Sequence, residues 1–358
     1  MNITYVLPPN TNVPIGGYKI VYQYANELVK RGNNVNIVFL KNGIPTGQKF
    51  SKQNFKNKIR SLINAFKNSP ISVDWYKIDS QINLYFNIEK AEDFPDADVI
   101  IATAAPTTYI KNLSKKKGRK FYFIQNYETW WYADKESELL KTFTIKDMTN
   151  IVISHELESK VNSATTARAK YLPNFYDPNE FYLQKPISPR KNVVALLNHR
   201  QATKRTQLGI EILIEVRKQI PDLQVELFGV PDEPDGLPNY FHVTRLANAN
   251  ELRERIYGRA KIYLLLSILE GWCLTGMEAM ASGAAMVASE IGGLVDYANS
   301  KNSVLIKPDK KEAFIDAIVN LLKDDEKQQR IAKQGYSDVQ QYRIQNSVQI
   351  LESILKGK

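Results

Sequence analysis

The chain has 358 residues, enough for two ordinary domains, and its 43% hydrophobic and 24% charged content is that of a globular protein rather than a disordered or fibrous one. A single cysteine, Cys273, excludes an intramolecular disulfide framework, while MNITYVLPP at the start and IYLLLSIL from Ile262 have neither signal-peptide nor membrane-span character, so a reducing, cytosolic setting is expected. The net charge of +10 raises nucleic acid or an anionic membrane as partners, but no zinc-finger, homeodomain or RNA-recognition pattern accompanies it, and nucleic acid is set aside.

Taken in order, NITYVL is followed by GYKIVYQYANELVKRG, with Ile20, Tyr24, Leu28 and Val29 on one face, and then by NVNIVFL. That is strand, helix, strand, the sign of a parallel βαβ unit. Next comes KFSKQNFKNKIRSLINAFKN, with six basic and no acidic residues between Lys49 and Lys67. From Phe55 its apolar residues recur at helical spacing, which predicts an amphipathic helix with a basic side. That side is either a solvated face or a dock for an anionic membrane surface.

The alternation resumes with DVIIAT, a helix after Pro106, KFYFIQ, NIVIS and a helix from His155. It breaks at YLPNFYDPNEFYLQKPISPR, whose four prolines mark an interdomain linker. A second series follows: NVVALLN, a helix to Gln219, LQVELFG, KIYLLLS, AAMVAS and NSVLI, with two basic amphipathic helices at the end. These runs are apolar at nearly every position, as parallel strands covered on both faces must be. The expected fold class is α/β, with two doubly wound, Rossmann-like domains at 1–175 and 176–340 facing a central cleft.

Ligands of such sheets bind at the carboxyl ends of strands, near helix N-termini. Four stretches fall there. Gly16 and Gly17 open the first helix, where free amides and the helix dipole favour a phosphate, although a glycine pair also suits an ordinary turn. LLNHRQATKRTQLGIEIL places Arg200, Lys204 and Arg205 after a buried strand, as a diphosphate site or a solvated loop. FGVPDEPDGLPNYFHVTRL is an acidic loop and a short strand, able to wall a base or merely to connect elements.

The fourth stretch is SILEGWCLTGMEAMASGAAMVASEIGG. A helix is expected over MEAMASG, stopping at Gly283, with Glu270 in the preceding loop and Glu278 near the helix start. Two such glutamates serve either as an acid and base pair or as acceptors for sugar hydroxyls, with backbone amides holding a phosphate. The bland alternative, Glu278 as a helix N-terminal charge and Glu270 exposed, leaves the run of small neighbours unexplained.

This stretch resembles the signature of glycosyltransferase family 4, the retaining, nucleotide-sugar-dependent transferases of GT-B fold. The glycine pair, FIQNYE, VISHE, LPNFYDPNEF and the cationic loop match in order along nearly the whole chain. The resemblance implies that Glu278 binds the donor ribose and that Glu270 lies by the transferred sugar. It places amides near Leu274, Thr275 and Gly276 on the sugar and phosphate. Arg200 with Lys204 or Arg205 would bind the diphosphate, and Gly16 and Gly17 would approach from the other domain. A last helix over 341–358 would pack back toward the first domain.

Departures from the usual pattern are Trp272 and Cys273 for Phe-Gly, and Thr275 for Pro. A frequent acceptor-side His is replaced by Gln125, leaving Gln125, Asn126 and Glu128 as acceptor-side candidates; segments of this QNYE type occur in some bacterial polysaccharide members. Asp96 and Asp98 match the metal-binding D-x-D of the other glycosyltransferase fold, but they precede a buried strand as ordinary loop residues do. The three histidines (His155, His199, His242) are scattered, so neither a metal nor a cofactor is expected.

The implied activity is retaining transfer of a hexosyl or deoxyhexosyl group from a nucleoside-diphosphate sugar to a hydroxyl of a glycan or lipid-linked glycan. Cell-surface polysaccharide synthesis on the inner membrane face is the implied setting. In the mechanism the resemblance implies, the leaving phosphate helps deprotonate the acceptor. The rivals are a sugar-nucleotide epimerase of the same fold and a non-catalytic partner subunit. Survival of both glutamates and the cationic loop argues against the second.

Overall fold

A computed structural model describes residues 1–41 and 70–357; the basic stretch between Lys49 and Lys67, with its expected helix, lies outside the described residues. The chain divides into two compact units, one of residues 1–173 with 347–358 and the other of residues 174–346.

The first unit is built on a seven-stranded parallel sheet. Its strands are β1 (Asn2–Leu7), β2 (Asn34–Leu40), β3 (Asn83–Ile88), β4 (Val99–Ala102), β5 (Arg119–Ile124), β6 (Met148–Val152) and β7 (Lys170–Tyr171). Their order is β3-β2-β1-β4-β5-β6-β7. The central strands are buried along their length, as continuous apolar runs require. β3, at the edge, is mostly half-buried, and its mixed NLYFNI carries no clear strand signal. Helix α1 (Gly16–Lys30) follows β1 and buries Ile20, Tyr24 and Leu28. α2 (Glu136–Phe143) and α3 (His155–Ala164) flank β6; Ser154 caps α3 by accepting from Leu157 N. The helix expected after Pro106 is an eight-residue 3-10 helix, Ala105–Asn112.

The second unit holds six parallel strands: β8 (Val193–Asn198), β9 (Gln224–Gly229), β10 (Phe241–Arg245), β11 (Ile262–Leu265), β12 (Ala285–Ser289) and β13 (Ser303–Ile306). Their order is β10-β9-β8-β11-β12-β13. Helices α4 (Thr206–Gln219), α5 (Leu274–Ala281), α6 (Lys311–Lys323) and α7 (Asp325–Val339) belong to this unit, and Leu196, Leu213, Leu227, Leu264, Val287 and Ile318 are among its core residues.

Two readings of the sequence are corrected here. Three helices rather than two close the chain, the last being α8 (Ile344–Lys356). Asp324 separates α6 from α7: its backbone leaves the helical region and its side chain caps the next helix through Lys327 N. The helix of the glutamate stretch starts at Leu274 instead of Met277, so Glu278 lies a full turn inside α5. The start is set by Cys273, whose backbone turns into the left-handed region at φ +67°. Among the described residues, no helix is long and apolar enough to cross a membrane.

Candidate functional site

In each sheet the chain reverses its direction of build-up beside the first strand, at β1/β4 in one unit and β8/β11 in the other. Loops leaving the carboxyl ends of strands at such a reversal splay apart and open a crevice.

In the second unit, β8 ends at Asn198 and the chain passes through His199, Arg200 and a 3-10 turn, Ala202–Lys204, into α4. Thr206 sews this passage to the strand end: its hydroxyl accepts from His199 N at 3.0 Å and donates to Leu197 O at 3.0 Å. The loop after β11 is tied to the same passage by Ile268 N donating to Thr203 O at 2.9 Å. That one backbone bond aligns the two loops and brings the Lys204 ammonium 2.6 Å from Glu270 Oε1. Glu270 is only 8% exposed, which removes the bland reading of an exposed loop carboxylate.

The other two cations part company. Arg205, in the left-handed turn that opens α4, donates to Pro308 O and does not join the pair. Arg200 is largely exposed, 3.8 Å from Asp232 in the acidic loop, and Arg245 holds the other oxygen of Asp232 at 2.9 Å. Asn198 Nδ2 donates to Asp232 O at 3.1 Å, so the acidic loop is pinned to the end of β8.

Leu274, Thr275 and Gly276 form the first turn of α5, which contains no acidic residue. Amides there lack helical partners and, with the dipole, favour an anion. Thr275 accepts a hydrogen bond from the Tyr263 hydroxyl at 2.8 Å, and the Tyr297 hydroxyl donates to Cys273 O at 2.8 Å. Glu278 is buried beside Tyr257, whose phenol is raised by burial first and by this carboxylate second. Cys273 is buried near Glu270 and Lys204; burial pushes its thiol up to about 12, so it stays protonated.

His199 was missed as a site residue by the sequence reading, which weighed it only as a metal ligand. Its Nδ1 accepts from Gln201 N at 3.1 Å, which leaves the ring proton on Nε2. Burial, then Lys204, lowers its pKa, while Glu270 opposes them, so the ring is a neutral donor at pH 7. The available signal was its place directly after a buried strand and before Arg200.

The first unit gathers a separate set. Gly16 and Gly17 begin α1 with no capping side chain and no acidic residue in the first turn. Gln125, just past β5, donates to Gly17 O at 3.2 Å, and a side chain at Gly17 would press on that amide. Asn126 turns back on its own loop, accepting from Tyr127 N. Glu128 is buried and accepts from Ala105 N, after β4, at 2.6 Å. Asp96 and Asp98 have structural partners instead, Lys117 at 3.0 Å and Asn2 N at 2.8 Å. Among the described residues, no group of three His, Cys, Asp or Glu side chains could hold a metal ion.

Residues 179–338 match the family model described as glycosyl transferases group 1. D-inositol 3-phosphate glycosyltransferase of Corynebacterium glutamicum (strain R) is 29% identical over 156 residues, 39% of this chain and 37% of that protein. Poly(glycerol-phosphate) alpha-glucosyltransferase of Bacillus subtilis (strain 168) is 21% identical over 190 residues, 49% of this chain and 28% of that protein. The chain thus aligns with well under half of either relative.

Solved structures extend the likeness in fold to both units. Anabaena HepE, in complex with UDP-glucose, superposes with a TM-score of 0.73 at 14% identity, covering 99% of this chain and 100% of that one. Sucrose-phosphate synthase from Thermosynechococcus elongatus gives 0.72 at 16% identity, covering 99% and 98%. The chain therefore has the GT-B fold, and within its second unit residues 179–338 match the model of the group 1 glycosyl transferases.

Proposed function

We propose that the protein is a retaining glycosyltransferase of family 4 type. It transfers a sugar from a nucleoside diphosphate to a hydroxyl of a glycan or lipid-linked glycan, in the synthesis of a cell-surface polysaccharide. The observation that carries this reading is the convergence, at the β8/β11 reversal, of the Lys204–Glu270 pair, the α5 N-terminus and the buried Glu278. Anion-binding and hydroxyl-binding groups meet there, as the two ends of a sugar diphosphate require.

In this reading Glu278 accepts from the ribose hydroxyls and Glu270 from the transferred sugar. Lys204, Arg200, His199 Nε2–H and the amides of Leu274, Thr275 and Gly276 face the diphosphate. As the sugar–phosphate bond lengthens, negative charge grows on the leaving oxygen, and prearranged cations and amides stabilise it without reorganising. No metal or cofactor is invoked, because the cationic set supplies the charge a divalent ion would otherwise bring. UDP is the first nucleotide to test, since HepE was solved with UDP-glucose and the pneumococcal O-GlcNAc transferase GtfA with UDP and GlcNAc.

Calorimetry with UDP tests the reading. Glu278→Ala should weaken binding by on the order of 1.5–3 kcal/mol, as loss of hydrogen bonds to a charged group does, with the melting temperature little changed. Unaltered UDP affinity would remove Glu278 from the site. Incubation with a UDP-sugar alone separates the rival: an epimerase interconverts two nucleotide sugars, whereas a transferase releases UDP only slowly, to water.

A further inference from the structure

β13 is the last strand of the second sheet, and among the described residues no strand pairs with its outer side. Glu290 N, just past β12, donates to Ile306 O at 2.8 Å, so Ile306 and, two residues back, Val304 turn their main-chain groups toward β12. Alternation along the strand then turns the N–H and C=O of Leu305 outward. A groove of about 800 Å³ lies on this side, between β13 and α7, a volume in the range of ligand pockets. Val304, Leu305, Ile331 and Val295 of the 3-10 turn Gly292–Asp296 give it apolar lining, and Val295 is 48% exposed. Lys301, Lys327 and Arg330 line it as exposed cations, none with a carboxylate partner among the described residues, and Glu290 is the one carboxylate in the described lining. Charge is one way to guard an open edge, since two copies pairing there would bring their cations together. What repels a second copy attracts an extended chain of opposite charge.

We propose that this groove docks an extended acidic segment of a partner protein, which adds a strand to the sheet beside β13. Bonds to the Leu305 N–H and C=O set its register, its apolar side chains cover Val295 and Val304, and its carboxylates meet Lys301, Lys327 and Arg330. The four residues of β13 match a segment of about four or five residues, at roughly 3.3 Å each. All of the lining comes from residues 290–334, within the second unit and two strands beyond β11, so docking is separate from sugar transfer.

The probe is a fluorescein-labelled octapeptide of alternating glutamate and valine, followed by anisotropy on the full chain at low salt. Its binding should be saturable and unaffected by UDP. The same peptide methylated on every backbone amide keeps its charges but loses its donors, and should bind at least about tenfold more weakly. The Lys327→Glu/Arg330→Glu double variant should also bind the probe about tenfold more weakly or worse, with an unchanged melting temperature because both side chains are exposed. Bound probe should slow exchange of the Leu305 amide about tenfold or more, while the Val304 amide, already in the ladder, changes little. Equal binding of the methylated peptide would reduce the groove to a basic patch that reads charge alone, and displacement by UDP would move the probe to the β8/β11 crevice. Either result overturns the proposal. So does absence of saturable binding; if the double variant then forms dimers, the cations only guard the edge.

Discussion

Cys273 occupies a backbone position that ordinarily goes to glycine, at φ +67° immediately before α5, and it is 6% exposed. A side chain in the left-handed region costs roughly 1–2 kcal/mol, because Cβ crowds the following carbonyl. Here the turn is over-determined: Tyr297 donates to Cys273 O, and the buried Trp272 packs between Tyr297 and Tyr342, with ring centroids 5.5 and 5.4 Å away. Trp272 and Cys273, which stand in place of the usual Phe-Gly, thus belong to a clamp that fixes where α5 begins. Two variants probe the strain. Cys273→Ala keeps it and loses the buried sulfur, so it should lower stability by about 1 kcal/mol. Cys273→Gly removes more atoms but also the strain, and should be the more stable of the two in urea denaturation. The opposite ranking would mean that sulfur packing, rather than backbone strain, dominates this position.

At the scale of elements, the site end of β8 depends on how closely β9 approaches. Gly229 pairs with Asn198 across the two strands, and a Cβ at Gly229 would lie 2.0 Å from Asn198 O. Backbone cannot yield as a flexible side chain can. Gly229→Ala should therefore cost more than about 2 kcal/mol and part the strands just before His199 and Arg200. Reduced UDP affinity together with a lower urea midpoint is expected; full stability would show that the strands can separate harmlessly. The same closeness marks what a sequence can display. Parallel strands buried on both faces are written as unbroken apolar runs, so the central strands of both sheets were legible, as was the Glu270–Glu278 stretch. The edge strand β3, half in water, has no such run. The start of α5 was misplaced because helix propensity cannot reveal a left-handed turn held by a tyrosine 24 residues away. Spacing also could not show that Lys204 pairs with Glu270 while Arg205 donates to Pro308 O, a carbonyl 103 residues away. Glu128 was legible as a candidate, but its environment comes from Ala105 and three phenols brought together only by folding.

The whole molecule adds one dependence that neither sheet contains: the chain leaves the first unit at Pro173 and returns to it at Ser347. The returning part of α8 is stitched in at several points. Ser347 meets the Tyr24 hydroxyl at 2.5 Å and donates to Pro173 O at 2.8 Å. Glu352 accepts from Arg31 and from Asn33, each at 3.1 Å, and Arg119 donates to Leu355 O. Val348, Leu351, Ile354 and Leu355 are buried. At about 1.5–3 kcal/mol for each buried side chain, these four contribute on the order of 6–12 kcal/mol as an upper estimate. That is comparable to the whole stability of a domain, roughly 5–15 kcal/mol. Truncation after Asn346 should therefore unfold the first unit, although it deletes only the end of the chain. The second unit is continuous and loses none of its own strands. Hydrogen exchange should accordingly show protection lost across β1 to β7 and retained in β8 to β13. Near-native protection of β1, β4 and β5 in the truncated protein would show that the first sheet is stable without its returning helix, and that α8 only decorates it.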